Sequence, residues 1–327
     1  MHNKYTIIVS SSIFYEEKIY MEKKENKLIS FIKSYHTDNF KLNDFILIPF
    51  ILAYFLMLLG GTVGNLIINY PASMIINDTN YDYIAFFAMY ASFIGYWIVI
   101  LLWCLIPSNR PIFGAVWKKC KGNTLKHLGI GLLIGFVMNG FCILLAVLHK
   151  DIYLYFSGAN FFALLGIFIA VFIQSSAEEL LCRGFLYQRI RRGYRHPAVA
   201  IIVNAMFFGL LHIANPGVST LAIVSIVAVG ICYSVMVYYC DSLWMPMAAH
   251  AAWNYTQSIV FGLPNSGLVS KFSLFKLDAS TATDSFFYSV SFGVEETIVA
   301  VSVNVICAIL VVVWGIKNKK KPTNIWE

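Results

Sequence analysis

Charged residues are scarce in this sequence. Only 13% of the residues are Asp, Glu, Lys or Arg, whereas 59% are hydrophobic, and the mean hydropathy is +0.70. A soluble domain has roughly 25% charged residues. The composition therefore argues against a water-soluble core, and it predicts an all-α, polytopic integral membrane protein in the cell membrane.

Several chemical signatures are missing as well. No CxxC pair occurs among the seven cysteines, most of which lie inside apolar runs, so neither a disulfide framework nor a thiolate metal site is expected. The sequence also lacks a His-Glu-x-x-His zinc motif, a Gly-x-Ser-x-Gly nucleophile elbow and a pair of membrane-embedded aspartates. These absences narrow the classes of hydrolase that the chain could represent.

Long apolar runs are abundant. A helix needs about 20 apolar residues to cross the hydrocarbon core of a bilayer. Eight runs approach this length, which predicts about eight transmembrane helices. They are Phe45–Asn69, Tyr83–Ile106, Leu128–Leu148, Asn160–Phe185, Pro197–Ile213, Val218–Tyr239, Leu243–Phe261 and Val294–Ile316.

Basic residues alternate between loops. Lys and Arg accumulate in the cytoplasmic loops of membrane proteins. Here they cluster in the N-terminal segment, in the loop after the second run, in residues 189–195 and in the C-terminal tail, whereas the intervening loops carry few of them. This pattern predicts that both termini are cytoplasmic. The net charge of +7 is therefore interpreted as an orientation signal, and a lipid bilayer rather than a nucleic acid is the expected surrounding.

Three charged residues stand where the fourth apolar run ends, namely Glu178, Glu179 and Arg183. Each charge at mid-membrane costs about 2.5–3.5 kcal/mol on insertion scales. On a helix, Glu179 and Arg183 share a face, which favours an ion pair and leaves Glu178 as the free carboxylate. The alternative is an interfacial group whose long side chains snorkel to the membrane surface.

Two histidines favour a hydrolytic site over that alternative. His212 and His250 lie in separate apolar runs, and Asn254 follows His250 by four residues, so that imidazole and amide share a helix face. A glutamate can act as a general base, and a histidine can orient water, donate a proton or ligate a metal. An asparagine can donate to a developing oxyanion. These residue types together form a candidate water-activating site.

The motifs resemble those of a known family. The CAAX prenyl protease and bacteriocin-processing family of intramembrane proteases has three such motifs, in this order and on successive helices. In this chain they read Glu178-Glu179-x-x-x-Arg183, Phe208-x-x-x-His212 and His250-x-x-x-Asn254. The resemblance covers roughly residues 161–260, and it implies an all-helical, membrane-embedded endopeptidase.

The resemblance also implies a role for each motif residue. Glu178 would activate the hydrolytic water, His212 would assist it, and His250 with Asn254 would stabilise the tetrahedral oxyanion. The supporting residues would be Glu179, Arg183 and Phe208. If a metal is bound, its implied ligands are Glu178, His212 and His250, and zinc is the default ion for such donors. A glutamate-activated water without a metal is the alternative that the motifs leave open.

Five regions are predicted along the chain. They are a polar cytoplasmic segment (1–44), N-terminal transmembrane helices (45–155), a catalytic membrane core (156–262), an extracytoplasmic loop (263–293), and the last transmembrane helix with its basic tail (294–327). Because Glu178 and Arg183 lie near the cytoplasmic end of their run, peptides or membrane proteins are expected to be cleaved on that side. A second acidic pair, Glu295 and Glu296, is interpreted as interfacial.

Two other functions stay open. Ionisable residues at membrane depth are typical of transporters that relay protons or cations, although the internal repeat expected for a transporter is absent from the sequence. A non-catalytic bacteriocin-immunity or binding protein could also retain this scaffold, since intact motifs indicate only the capacity for catalysis. An endopeptidase is the preferred interpretation.

Overall fold

Helices make up most of the protein. The structure is a computed structural model that describes residues 27, 30, 33–117, 119–158 and 160–327. Within these residues the body of the protein consists of α1 (Leu47–Ile75), α2 (Tyr81–Trp103), α3 (Leu125–Leu148), α4 (Phe161–Gly193), α5 (Pro197–Leu211), α6 (Thr220–Cys240), α7 (Trp244–Tyr255) and α8 (Ile298–Lys317). One small antiparallel sheet pairs β1 (Leu154–Phe156) with β2 (Phe275–Leu277).

Six of these helices, α1 to α4, α6 and α8, are long and apolar enough to cross a membrane by length and composition. The prediction of an all-α, polytopic membrane protein is thereby confirmed. Two of the eight predicted spans are shorter than expected, because α5 has 15 residues and α7 has 12 before it widens into a π-helical turn over Thr256–Val260. Residues 245–254 of α7 are all buried, so this helix lies inside the bundle.

The helix α4 is longer than the predicted run Asn160–Phe185. It continues to Gly193 through a π-helical turn, Leu180–Leu186, that begins directly after Glu179. At 1.5 Å per residue, roughly 22 Å of helix separates Glu178 from Gly193. Glu178 therefore lies about four turns before the end of α4, and not near that end.

Buried ion pairs explain why α4 extends so far. Arg189 and Arg192 each approach Asp44 Oδ1, at 3.2 and 2.7 Å, and all three side chains are buried. By composition alone, a cluster of arginines predicts a water-exposed loop. Because Arg189 and Arg192 both pair with Asp44, they can instead form the packed last turns of a helix.

The connecting segments gather at two ends of the bundle. At the basic end, residues 36–44, 189–196, 241–242 and 323–327 contact one another; the hydroxyl of Thr323, for example, donates to Asp241 at 2.6 Å. At the loop end, β1 pairs with β2 and Ser157 N donates to Leu274 O at 2.9 Å. The basic end combines segments predicted to be cytoplasmic, and the loop end combines those predicted to be extracytoplasmic.

Glycines allow α3 to approach α7 closely. A Cβ atom on Gly131 would lie 2.2 Å from Met245 O, and one on Gly135 would lie 2.1 Å from Ala249 O. Small residues at a crossing let two membrane helices pack backbone to backbone. This crossing fixes α7 within the bundle, and with it the predicted site residues His250 and Asn254.

Replacing Gly135 with Ala is expected to lower the free energy of unfolding by about 1–3 kcal/mol, because the added methyl group overlaps a backbone carbonyl that cannot easily move. Gly140→Ala on the same helix is the matched control, since its Cβ would meet no atom within 4 Å. Equilibrium unfolding in mixed detergent micelles measures both variants. Equal stability of the two would contradict a tight crossing.

Candidate active site

A cavity of about 390 Å³ lies between the helices. Residues of α1, α2, α4, α5, α6 and α7 line it, together with residues 215–216 and 265–268 of the loop end. Five predicted site residues share this lining, namely Glu178, Phe208, His212, His250 and Asn254. The structure thus brings together side chains from three helices, and the cavity is where a substrate could meet them.

Glu178 is held by its own helix. Gln174, one turn earlier on α4, donates from Nε2 to Glu178 Oε1 at 2.7 Å. The second oxygen, Oε2, lies 3.7 Å from His250 Nε2, and 15% of the Glu178 side chain is exposed. The carboxylate is therefore fixed at one oxygen, while the other faces an imidazole and is accessible to a small molecule.

Behind this pair lies a buried triad of Arg183, Glu179 and His250. Arg183 Nη1 donates to Glu179 Oε1 at 2.9 Å, and His250 Nδ1 contacts the same oxygen at 3.1 Å. Neither Glu179 nor Arg183 is exposed. Because a carboxylate only accepts hydrogen bonds, His250 Nδ1 carries the hydrogen, and Nε2 is directed towards Glu178. Glu179 thus orients an imidazole in addition to pairing with Arg183.

Phe208 packs against two members of this triad, Arg183 and His250. The guanidinium carbon of Arg183 lies 4.5 Å from the centroid of the Phe208 ring, within the range of a cation–π contact. Arg183 Nη2 also donates to Gly230 O at 3.2 Å. The same aromatic ring meets His250 edge to face, with centroids 5.9 Å apart. The motif phenylalanine therefore supports both the arginine and one histidine.

His212 caps the C-terminal end of α5. Its Nδ1 contacts Phe208 O at 2.8 Å. A carbonyl oxygen can only accept, so the neutral ring carries its hydrogen on Nδ1 and leaves the Nε2 lone pair free. In both histidines of the cavity, Nδ1 carries the hydrogen, because it faces an acceptor: Phe208 O for His212 and Glu179 Oε1 for His250.

Asn254 lies in a chain of amide and hydroxyl groups. Its Nδ2 donates to Gln174 Oε1 and Ser175 Oγ, each at 3.2 Å. Its Oδ1 accepts from Asn265 Nδ2 at 3.2 Å. To donate to an oxyanion, as the resemblance implies, the Asn254 amide would have to exchange one of these bonds for the substrate oxygen.

The proposed metal ligands do not form a metal site in the part of the chain that the structure describes. No group of three His, Cys, Asp or Glu side chains is arranged there to hold a metal ion. A catalytic zinc takes three protein ligands and one water. Glu178 and His250 approach each other, but His212 does not complete a triad with them, so the residues as positioned do not fit a zinc ion.

Three residues of this site are absent from the sequence-based prediction. Gln174 had a usable signal, because it lies four residues before Glu178 on the same helix face. Asn265 and Glu295 had none, since both lie outside the apolar runs with motifs. The interpretation of Glu295 and Glu296 as interfacial did not indicate that Glu295 lines the cavity, whereas Glu296 bonds to the hydroxyls of Ser289 and Ser291.

Comparisons with known proteins match one segment of this chain. Residues 160–256 match the family model of the type II CAAX prenyl endopeptidase Rce1-like proteins. The uncharacterized protein YyaK of Bacillus subtilis strain 168 is 34% identical over 114 residues, an alignment that spans 33% of this chain and 38% of the relative. The similarity thus covers well under half of that protein's length. No solved structure matches the chain.

The matched segment contains every part of the site that the sequence motifs predicted. It begins at the residue that caps α4 and ends one residue beyond α7, so it includes Glu178 and Asn254 and all motif residues between them. Residues 160–256 of this membrane protein are therefore similar to the type II CAAX prenyl endopeptidase Rce1-like family, and the similarity coincides with the helices that carry the motif residues.

Proposed function

We propose that this protein is an intramembrane endopeptidase that hydrolyses peptide bonds of membrane-associated peptides or proteins. The observation that carries the proposal is the Glu178 carboxylate, which faces His250 Nε2 at 3.7 Å in a cavity that His212 also lines. A carboxylate base beside two oriented imidazoles in an enclosed space can activate a water molecule. The Rce1-like family supports this reaction class at the family level.

In the first step, Glu178 removes a proton from a water molecule in the cavity, and the water oxygen attacks the peptide carbonyl carbon. His212, through its Nε2 lone pair, accepts a hydrogen bond from the same water and orients it. The carbonyl oxygen becomes an oxyanion. His250, whose ring Glu179 orients through Nδ1, stabilises the oxyanion when its Nε2 carries a hydrogen and donates it to that oxygen.

In the second step, the proton on Glu178 moves to the nitrogen of the leaving amine and the carbon–nitrogen bond breaks. The products are a new carboxyl group and a new amine, and Glu178 is returned as a carboxylate. Asn254 contributes a further hydrogen bond to the oxyanion if its amide leaves Ser175 or Gln174. None of these steps requires a metal ion, and none is routed through one.

We further propose that the basic end faces the cytoplasm, with both termini there, because Lys and Arg accumulate in cytoplasmic loops. The cavity lining includes Asn215, Pro216, Asn265 and Ser266, all of which belong to the loop end. Under this orientation a substrate would reach Glu178 from the outer half of the membrane. That differs from the cytoplasmic cleavage expected when Glu178 was assigned to the end of a shorter helix.

Hydrolysis of internally quenched peptides by the purified protein in liposomes tests the proposed function. In water enriched in oxygen-18, each new carboxyl group should gain one heavy oxygen, which mass spectrometry detects. Proton-coupled uptake of solutes by the same liposomes, without cleavage, would instead favour a transporter. Tight peptide binding without cleavage would favour a binding or immunity protein.

Removal of divalent metals is expected to leave peptide hydrolysis within about twofold of its starting rate, because the described residues do not converge on a zinc site. Turnover is measured before and after dialysis against a chelator, with the metal content of the same active sample. A loss of activity that stoichiometric zinc restores would contradict the metal-free mechanism. It would also return Glu178, His212 and His250 to the role of ligands.

A further inference from the structure

The adjacent acids Glu295 and Glu296 point to different surroundings. They form a short turn, Val294–Glu296, before α8 begins at Ile298, and therefore lie outside the membrane-spanning helices. Glu296 Oε2 accepts from the hydroxyls of Ser289 and Ser291, at 2.7 and 3.4 Å. Glu295 instead lines the same cavity as Glu178. The pair thus contains one cavity carboxyl and one that is satisfied elsewhere.

Glu295 is connected to the hydrolytic residues through a tight turn. Ser266 and Gly267 both have a positive φ, of 49° and 81°, and Ser266 donates its backbone N–H to Glu295 Oε1. The residue before this turn, Asn265, donates to Asn254 Oδ1 at 3.2 Å. The consecutive residues Asn265 and Ser266 therefore link the two groups: Asn265 bonds to Asn254, and Ser266 bonds to Glu295. Glu295 lies where it can contact a substrate bound at Glu178.

The charges around the cavity are unbalanced. Among the described residues that line it, Glu178 and Glu295 are acidic, and none is Lys or Arg. No Lys or Arg in the described part of the chain forms an ion pair with Glu295 either. Two carboxyl groups in a mainly apolar enclosure strongly favour a positively charged occupant over a neutral or negative one.

The raised pKa of Glu295 is consistent with a carboxyl group that has no cation beside it. Desolvation within the cavity raises the pKa of Glu295 to about 8, and repulsion from Glu296 and Glu178 adds to the rise, while the hydrogen bonds from Ser266 oppose it. A carboxyl group in this condition gains more from a nearby cation than a solvated one does. The substrate is the component of the reaction that can supply such a cation.

We propose that Glu295 binds a cationic group of the peptide substrate, an ammonium or a guanidinium, and so selects which peptides are cleaved. This inference rests on the proposed function, because it assigns the specificity of the same cavity. The cation is a Lys or Arg side chain or the free amino terminus, since both present the same chemistry. Apolar surfaces of α1 and α2, including Met57, Met89 and Phe93, line the rest of the cavity and suit hydrophobic neighbours of that cation.

The test compares matched peptides. Internally quenched peptides with one Lys are paired with twins in which norleucine replaces it, and each is made with a free and an acetylated amino terminus. The intact protein is expected to cleave the preferred cationic peptide with a kcat/KM about 10- to 100-fold above that of its neutral twin. Glu295→Gln should bring this ratio close to 1, and Glu295→Asp, which keeps the charge, should retain part of it. Glu296→Gln is the matched control and should leave the ratio unchanged.

A binding measurement separates this inference from the proposed function. Fluorescence anisotropy with labelled forms of the same peptides is performed on Glu178→Gln and on the double variant Glu178→Gln/Glu295→Gln. A preference for the cationic peptide that Glu295→Gln removes supports the inference even if the intact protein cleaves nothing, an outcome that would contradict only the protease assignment. Equal binding of both peptides, or a preference that survives Glu295→Gln, overturns the inference. A preference that follows the free amino terminus identifies the α-amino group as the bound cation.

Discussion

Replacing Glu178 with Gln is expected to reduce kcat for peptide hydrolysis by about 10³-fold, which is within the range that a general base contributes. An amide cannot accept the proton of the attacking water. The Gln side chain retains the shape of Glu178 and can still accept the hydrogen bond from Gln174. The melting temperature should therefore remain close to that of the unchanged protein. The measurements are kcat in detergent and thermal unfolding of the same sample.

Glu296→Gln is the control for this experiment, because it neutralises a carboxylate that bonds to Ser289 rather than lining the cavity. It should keep most of the turnover. Full activity of the Glu178→Gln variant would contradict the assignment of Glu178 as the base. A loss of activity accompanied by a large drop in melting temperature would indicate that the variant is misfolded, and Glu178→Asp would then test whether a displaced carboxylate retains partial turnover.

Replacing Arg183 with Met is expected to lower the free energy of unfolding by about 3–5 kcal/mol, the usual cost of breaking a buried ion pair by removing one partner. The change leaves the Glu179 carboxylate unpaired, except for His250, at a position with no solvent exposure. It also removes the cation above the Phe208 ring. Equilibrium unfolding in mixed micelles measures the loss.

Two further variants show how the stability and the chemistry of this triad separate. Arg195→Met is the control, because its partner Asp38 is exposed and such pairs contribute about 0–1 kcal/mol. The double variant Glu179→Leu/Arg183→Met should recover part of the stability, since no buried charge is left unpaired. Its activity should stay low, because His250 Nδ1 has lost the acceptor that orients the ring. Wild-type stability of Arg183→Met would contradict the ion-pair argument.

The sequence was informative wherever the answer depended on neighbouring residues. The apolar runs predicted the membrane helices, since hydrophobic length is a property of a continuous segment. The four-residue spacing of Glu179 and Arg183 predicted a contact that the structure has at 2.9 Å. The order of the three motifs on successive helices indicated that their residues form one site. No distance between the side chains of that site follows from the sequence.

The sequence was misleading wherever packing compensated a local signal. The arginines at positions 189 and 192 suggested a loop, but both pair with Asp44, far away in the chain, within the bundle. The apolar run Leu243–Phe261 predicted a full membrane span, but burial between other helices makes α7 an internal element. Neither outcome follows from composition, because each depends on a partner from another part of the chain.

By itself the sequence determined that this is a helical membrane protein, which helices form it, and which residues carry a hydrolytic motif, because these properties depend on hydrophobic length and on spacing along one helix. Only the tertiary structure decided that Glu179 holds His250, that Asn265 holds Asn254, and that Glu295 faces the same cavity. These contacts join different helices and loops, and they exist because glycine-lined crossings such as that of α3 with α7 fix how closely the helices approach.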